Sequence, residues 1–257
     1  MKNILVIPDL QIRKDVPLEH LEWIGQFIMD KRPDVIIQIG DFADFSGLSS
    51  YSKGKLEGEG VRLIDDINWV KHAQDILFKP MKTYNKQQKK TKHKQYKPEM
   101  YITLGNHENR LMRFINDNPA FEGFFDDDIC GFKEHGFKVI PFLDVLTIDG
   151  VHFSHYFQVT PMGNPSSTAR NMLNKRMSSC VQGHKQGLDW QYAYTPDGKM
   201  ISCIIAGSCY LHDEPYLMQQ NKCHWRGIVY LEDVHDGTFE QNFITLDKLK
   251  RNYNSKV

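Results

Sequence analysis

The sequence predicts an α/β protein in which two β-sheets share one core, and three features of the 257-residue chain lead to it. Short β-branched apolar runs alternate with helical periodicity over the first hundred residues or so. Beyond Gly131 the runs become shorter and are punctuated by Asp-Gly pairs. No repeat or low-complexity linker parts the two halves, so residues 1–257 read as a single domain, long enough to bury a large core.

The elements follow in order. "NILVIP" and "DVIIQIG" are apolar runs of buried-strand type. Between them "PLEHLEWIGQFIMDKR" spaces Leu18, Leu21, Ile24, Phe27 and Ile28 as one helical face, which makes a β-α-β unit. A second helix is expected from about Val61 to Tyr84, and "MYITLG" supplies a third strand of the same kind. The first half is therefore expected to be parallel and covered on both faces. The second half holds "FKVIPF", "VLTIDGVHFSHYF", "DWQYAYTPDGKMISCIIAG" and "RGIVYLEDVHDGTFEQNFITL", with Asp-Gly turns beginning at residues 149, 197 and 236. Hairpins are expected to dominate there.

Composition narrows the classes. Lys plus Arg equal Asp plus Glu at 32 each, which excludes a global charge drawing the protein to nucleic acid or an anionic membrane. No stretch reaches the roughly 20 apolar residues of a membrane span. The start, "MKNILVIPDL", is too short an apolar run for a signal peptide, so a soluble, cytoplasmic protein without a membrane partner is expected. Cys130, Cys180, Cys203, Cys209 and Cys223 are scattered without a CxxC spacing and are read as reduced thiols.

The chemistry gathers at the strand ends. The first strand runs into Asp9 and Gln11, the second into "GDFAD" with Asp41 and Asp44, and the third into "GNHENR" with Asn106 and His107. An open parallel sheet places its ligand crevice beyond these carboxyl ends. Further apolar runs end at His152 and His155 and, in "QGHKQG", at His184 and Gln186. Carboxylates, amide oxygens and imidazoles converging on one crevice suit a pair of divalent cations.

Taken in order, Asp9, "GDFAD", "GNHE", a histidine of "VHFSHYF" and "GHKQ" resemble the calcineurin-like metallophosphoesterase superfamily across residues 9–186. Small stand-alone members of that superfamily are common in bacteria and phages. The resemblance implies a four-layer αββα sandwich of two mixed sheets with the metal site at the strand ends. It implies that Asp41 bridges two metals, that Asp9, Gln11 and Gln186 hold the first, and that Asn106, His155 and His184 hold the second. His107, steadied by Asp44, would serve the leaving oxygen, with Glu108 and Arg110 in support and Gly105 permitting the turn. The implied reaction is in-line attack on phosphorus by a metal-bound hydroxide, hydrolysing a phosphodiester or phosphomonoester.

Two departures fall on the same metal. The superfamily usually has His where this chain has Gln11 and Gln186, so the first site becomes oxygen-rich. That favours Mn²⁺, with Mg²⁺, Zn²⁺ or iron as alternatives. His155 is preferred to His152 because it ends the strand and precedes the "QVTPMGNPSS" loop, and the pleat, which turns the two to opposite faces, lets only one point into the site. The other histidines match no motif position and read as surface or satisfied core residues.

Substrate signals are weaker. "KTYNKQQKKTKHKQYK", from Lys82 to Lys97, carries seven lysines and two tyrosines without an acid. It fits either a nucleic-acid grip or a solvated helix end. The loops "SGLSSYSKGKLEGEG" and "TPMGNPSSTARNMLNKR" flank the crevice, and Arg170 joins Asn106 and His107 as a candidate substrate contact. Alongside a small phosphoesterase stand two further readings: a DNA exonuclease or endonuclease of the same superfamily, and a metal-poor protein-binding scaffold.

Overall fold

The N-terminal apolar runs become parallel strands in the computed structural model, which describes residues 1–49, 60–126, 128–214, 219 and 222–254. Strands β1 (Lys2–Ile7), β2 (Val35–Gln38), β3 (Glu99–Thr103) and β4 (Lys138–Ile140) pair in that order, each parallel to the last. Helices α1 (Glu19–Lys31) and α2 (Leu63–Lys90) make the first two crossovers, and α3 (Asn109–Asp117) follows β3. The apolar stripe of α1 is buried as its spacing predicts, with Leu21, Ile24, Phe27 and Ile28 facing the sheet. Helix α2 begins two residues later than expected and continues six residues further, since Asn85–Lys90 are residues that extend a helix readily.

The second sheet contains β5 (Leu146–Ile148), β6 (Val151–Ser154), β7 (Cys180–Gln182), β8 (Leu188–Tyr194) and β9 (Met200–Ala206), in the order β5-β6-β7-β9-β8. Helix α4 (Ala169–Arg176) links β6 to β7. The hairpins at residues 149 and 197 form, but the centre of this sheet is parallel, because β6, β7 and β9 all run the same way. The third hairpin, β10 (Gly227–His235) with β11 (Thr238–Thr245), joins the first sheet, where β10 lies antiparallel to β1, and α5 (Leu246–Tyr253) follows. Strand β10 suits that place because both of its faces are apolar. Ile228 and Tyr230 pack toward the helices, and Val229 and Leu231 toward the other sheet.

Four layers result. Ile4, Val6, Val35 and Ile37 of the first sheet meet Phe153, Val181 and Ile204 of the second. The first sheet's other face packs under α1, α2 and α5, and Met172 and Leu173 of α4 cover Cys180, Cys203 and Ile205. The protein is thus an αββα sandwich of two mixed sheets. Among the described residues, no helix is long and apolar enough to cross a membrane. His20 is fully buried; burial, with His212 reinforcing and a hydrogen bond to the Cys209 backbone opposing, pushes its pKa down to about 3, so it sits in the core as a neutral ring.

Phe153 sits at 0% exposure between the sheets. Phe153→Ala is expected to cost about 3–5 kcal/mol in denaturant unfolding. A loss below about 1 kcal/mol would mean that the two sheets do not share this core.

Candidate metal centre

The loops beyond the parallel strands are tied to one another before any ligand enters. Leu10 and Gln11 donate their backbone N–H groups to the Asp41 carbonyl at 3.0 and 2.9 Å. The buried amide of Gln38 pins the start of "GDFAD", accepting from Gly40 N and donating to Gly40 O, both at 2.9 Å. Glu108 draws the second and third strand ends together. Its carboxylate accepts from the N–H groups of Asp41, Ala43 and Gly105 at 3.0, 2.8 and 2.7 Å. Burial, reinforced by the Asp41 charge, raises the pKa of that carboxyl.

Three candidate ligands have left-handed backbones although none is glycine: Gln11 (φ 45°), Asp41 (φ 51°) and His184 (φ 67°). Such conformations cost on the order of 1–3 kcal/mol each and gather where the surroundings over-determine them. Gly105 serves differently from the turn expected of it. It is not among the residues with positive φ, and a Cβ there would collide with Asp41 Oδ1. Gly183 likewise leaves room for Asp9, whose Oδ1 would lie 2.5 Å from an added Cβ.

Asp41, His155 and His184 bring one ligand atom each to within 4.8 Å of one another. Asn106 Oδ1 joins them, 3.0 Å from His155 Nε2 and 2.8 Å from His184 Nδ1. His155 is fully buried and its Nδ1 lies 2.9 Å from the Ile39 carbonyl, an arrangement that leaves Nε2 for an ion. His152 instead places Nδ1 2.9 Å from Thr147 Oγ1, away from this group. Tyr156, which no sequence signal marks, sets its ring 4.9 Å from that of His184.

Asp9 lies beside this group. Its Oδ1 accepts from His184 N at 3.1 Å, but among the described residues Asp9 Oδ2 and Gln186 Oε1 are buried without a hydrogen-bond partner. Buried acceptors without donors are costly unless a cation satisfies them, so these residues fit a hard divalent ion. Gln11 is also buried. Arg170 lies on the exposed side of α4, and among the described residues it makes no hydrogen bond or ion pair with this set. Residues 50–59 of the first flanking loop lie outside the described residues.

The electrostatics follow from crowding. Burial pushes the Asp9 carboxyl up to about 7, with His155 opposing and Asp41 reinforcing the shift. Burial acts the same way on Asp41, but His107 and His155 outweigh it and hold that carboxyl well below its usual range. Burial would lower His155, yet Asp41 and Asp9 lift it to about 9. Burial and the neighbouring His155 charge lower His184 to about 4, which keeps it a neutral imidazole suited to a cation.

His107 occupies the remaining side. Its N–H donates to Asp41 Oδ1 at 2.9 Å, and its ring Nδ1 lies 3.0 Å from Asp44 Oδ1, off the line of a good hydrogen bond. Arg110 Nη2 is 3.0 Å from His107 Nε2, while Arg110 Nη1 donates to the Asp44 carbonyl at 2.7 Å. Burial works against a charge on His107, but Asp41 and Asp44 overcome it and raise the pKa, with Arg110 opposing. Asp44 is held low despite burial by His107, Arg13 and Arg110.

A profile of calcineurin-like phosphoesterases matches residues 2–220. The Gene 54 protein of Mycobacterium phage D29 is 26% identical over 202 residues, which cover 74% of this chain and 73% of that protein. The Gene 54 protein of Mycobacterium phage L5 is 24% identical over 195 residues, 73% of this chain and 71% of that protein. The crystal structure of TT1561 of Thermus thermophilus aligns with 94% of this chain and 98% of its own, at 10% identity and a TM-score of 0.38.

Gly105→Ala tests the crowding. The added methyl displaces the Asp41 carboxylate, so the variant is expected to keep its far-UV circular dichroism and lose the thermal stabilisation that added Mn²⁺ gives the wild type. Undiminished stabilisation would show that Asp41 does not hold the ion.

Proposed function

The chain belongs to the calcineurin-like phosphoesterase family, and from that premise we propose that it hydrolyses a small phosphodiester or phosphomonoester with two divalent cations held at the strand ends. Membership in the family implies a hydrolase, divalent metal ions and a phosphate-ester substrate. The observation that carries the two-cation reading is Asp9, whose Oδ1 accepts from His184 N while its buried Oδ2 has no donor among the described residues, where Gln186 Oε1 is likewise buried without one. Asp9, Gln11 and Gln186 would hold one ion, Asn106, His155 and His184 the other, and Asp41 both.

Bound divalent cations lower the pKa of water and neutralise phosphate oxygens. The chain's own residues supply the rest. His107, whose protonated form Asp41 and Asp44 favour, donates the proton of Nε2, the nitrogen turned from Asp44, to the leaving oxygen and returns to the neutral imidazole, a step for which Arg110 Nη2, 3.0 Å from that nitrogen, must move off it. Arg110, 3.0 Å from the same ring, brings a positive charge to the side where the leaving group gathers negative charge. The contacts joining His107, Asp44 and Arg110, with Asn106 held against His155 and His184, support an enzyme over a protein-binding scaffold that has kept only the fold.

The substrate is read as small because the lysine run sits far from the site. It covers the end of α2 and the approach to β3, so it lies at the opposite end of that strand from "GNHE". Its tyrosines are also engaged. Tyr84 lies under the Arg32 guanidinium at 4.7 Å, and the Tyr96 hydroxyl donates to the Pro33 carbonyl at 2.6 Å. Both observations support the solvated helix end over a nucleic-acid grip.

His107→Ala is expected to bind metal as the wild type does and to lose about 10² to 10⁴-fold in turnover on substrates with poor leaving groups. Near wild-type turnover on such substrates would remove His107 from the leaving-group step. The glutamines give a separate test. Stripped enzyme is expected to regain activity well with Mn²⁺ and poorly with Zn²⁺, and Gln11→His with Gln186→His to shift that preference toward Zn²⁺ or iron. Metal titration that saturates at one ion per chain, with no shift in the double variant, would sink the two-cation reading.

A further inference from the structure

The contact between His107 and Asp44 has a continuation that lies in none of the five strand-end motifs. Arg13 Nη1 is 3.0 Å from Asp44 Oδ2 and 2.7 Å from Glu214 Oε1, and the same Glu214 oxygen is 2.9 Å from His212 Nε2. The His212 ring stacks on Tyr210 with centroids 4.5 Å apart. Arg13 and Glu214 are 201 residues apart in sequence, and Glu214 is 5% exposed. The row is therefore built from both halves of the chain, with its two carboxylates buried and Arg13 partly exposed. A carboxylate turns freely about its last torsion unless both oxygens are tied. In Asp44, Oδ1 meets His107 and Arg110, and Oδ2 is left to Arg13.

We infer that Arg13, aimed by Glu214, is a positioning residue for the leaving-group step: it fixes the rotation of Asp44 so that Oδ1 meets the His107 ring. The inference rests on the role given to His107 above. Glu214 orients the guanidinium through its 2.7 Å contact with Arg13 Nη1. The competing account is structural. Arg13 stands two residues after Gln11 and could simply brace the first metal loop.

Kinetics on a series of phosphate esters, from nitrophenyl to alkyl leaving groups, separates these accounts. Arg13→Ala is expected to lower kcat about tenfold on alkyl esters and little on nitrophenyl esters, with KM and metal content unchanged, because a displaced proton donor matters only where the leaving oxygen needs a proton. Glu214→Gln should shift kcat in the same direction by less, and Arg13→Lys, which keeps a cation between the carboxylates, should recover most of the loss. In a His107→Ala background, Arg13→Ala should add nothing further. Equal losses for every leaving group, lost metal, or losses that multiply in the double variant would overturn the inference and leave His107 in its role. If His107→Ala itself shows no dependence on leaving group, that role fails and the inference goes with it. Should Arg13→Ala not fold, Glu214→Gln in both backgrounds gives the same decision.

Discussion

The candidate site depends on one buried carboxylate bonded to backbone N–H groups. By accepting three backbone N–H groups from two different loops, Glu108 brings the ends of β2 and β3 to a fixed separation. Asp41 and Asn106 take their places from that separation, and so does His107, whose own N–H returns to Asp41. Such an arrangement holds ligands on backbone rather than on flexible side chains, which is what a centre needing sub-ångström placement requires. The left-handed backbone at Gln11, Asp41 and His184 is the strain that this fixing sustains.

Much of the site is legible in the sequence because its residues follow a local rule. Each strand-end motif places a polar residue just past an apolar run, and a parallel sheet carries those ends to one edge. The pleat says that only one of His152 and His155 can face the crevice, the strand end points to His155, and the structure turns the two residues to different surroundings. The third hairpin's place in the first sheet is not legible in the same way. "GIVYL" is apolar on both faces, and nothing in such a run says which of two sheets will take it.

Other features escape because their partners are distant. Arg13 and Glu214 carry no motif, and only the fold brings them together. Tyr156 looks like any aromatic at a strand end until it is seen against His184. Gly105 is legible as a special position but for a different reason than its spacing suggests: the constraint comes from Asp41, 64 positions earlier in the chain, rather than from its own dihedral angle. The lysine run is the converse, a conspicuous local pattern that the fold carries away from the crevice.

The closing of the first sheet by β10 has a consequence for how the protein is made. Asp9 bridges to Ser208 and accepts from Cys209 N at 2.8 Å, and Gln186 O accepts from Trp225 N at 3.0 Å, so the oxygen-rich half of the centre is braced by residues more than 200 positions into the chain. During synthesis the loop bearing Asp9 and Gln11 emerges long before those braces exist, and contacts this distant in sequence are slow to form. The candidate metal centre is thus assembled late, after the β-α-β units that frame it. A nascent or truncated chain ending before β10 carries most of the motifs in order and lacks the geometry that gives them meaning.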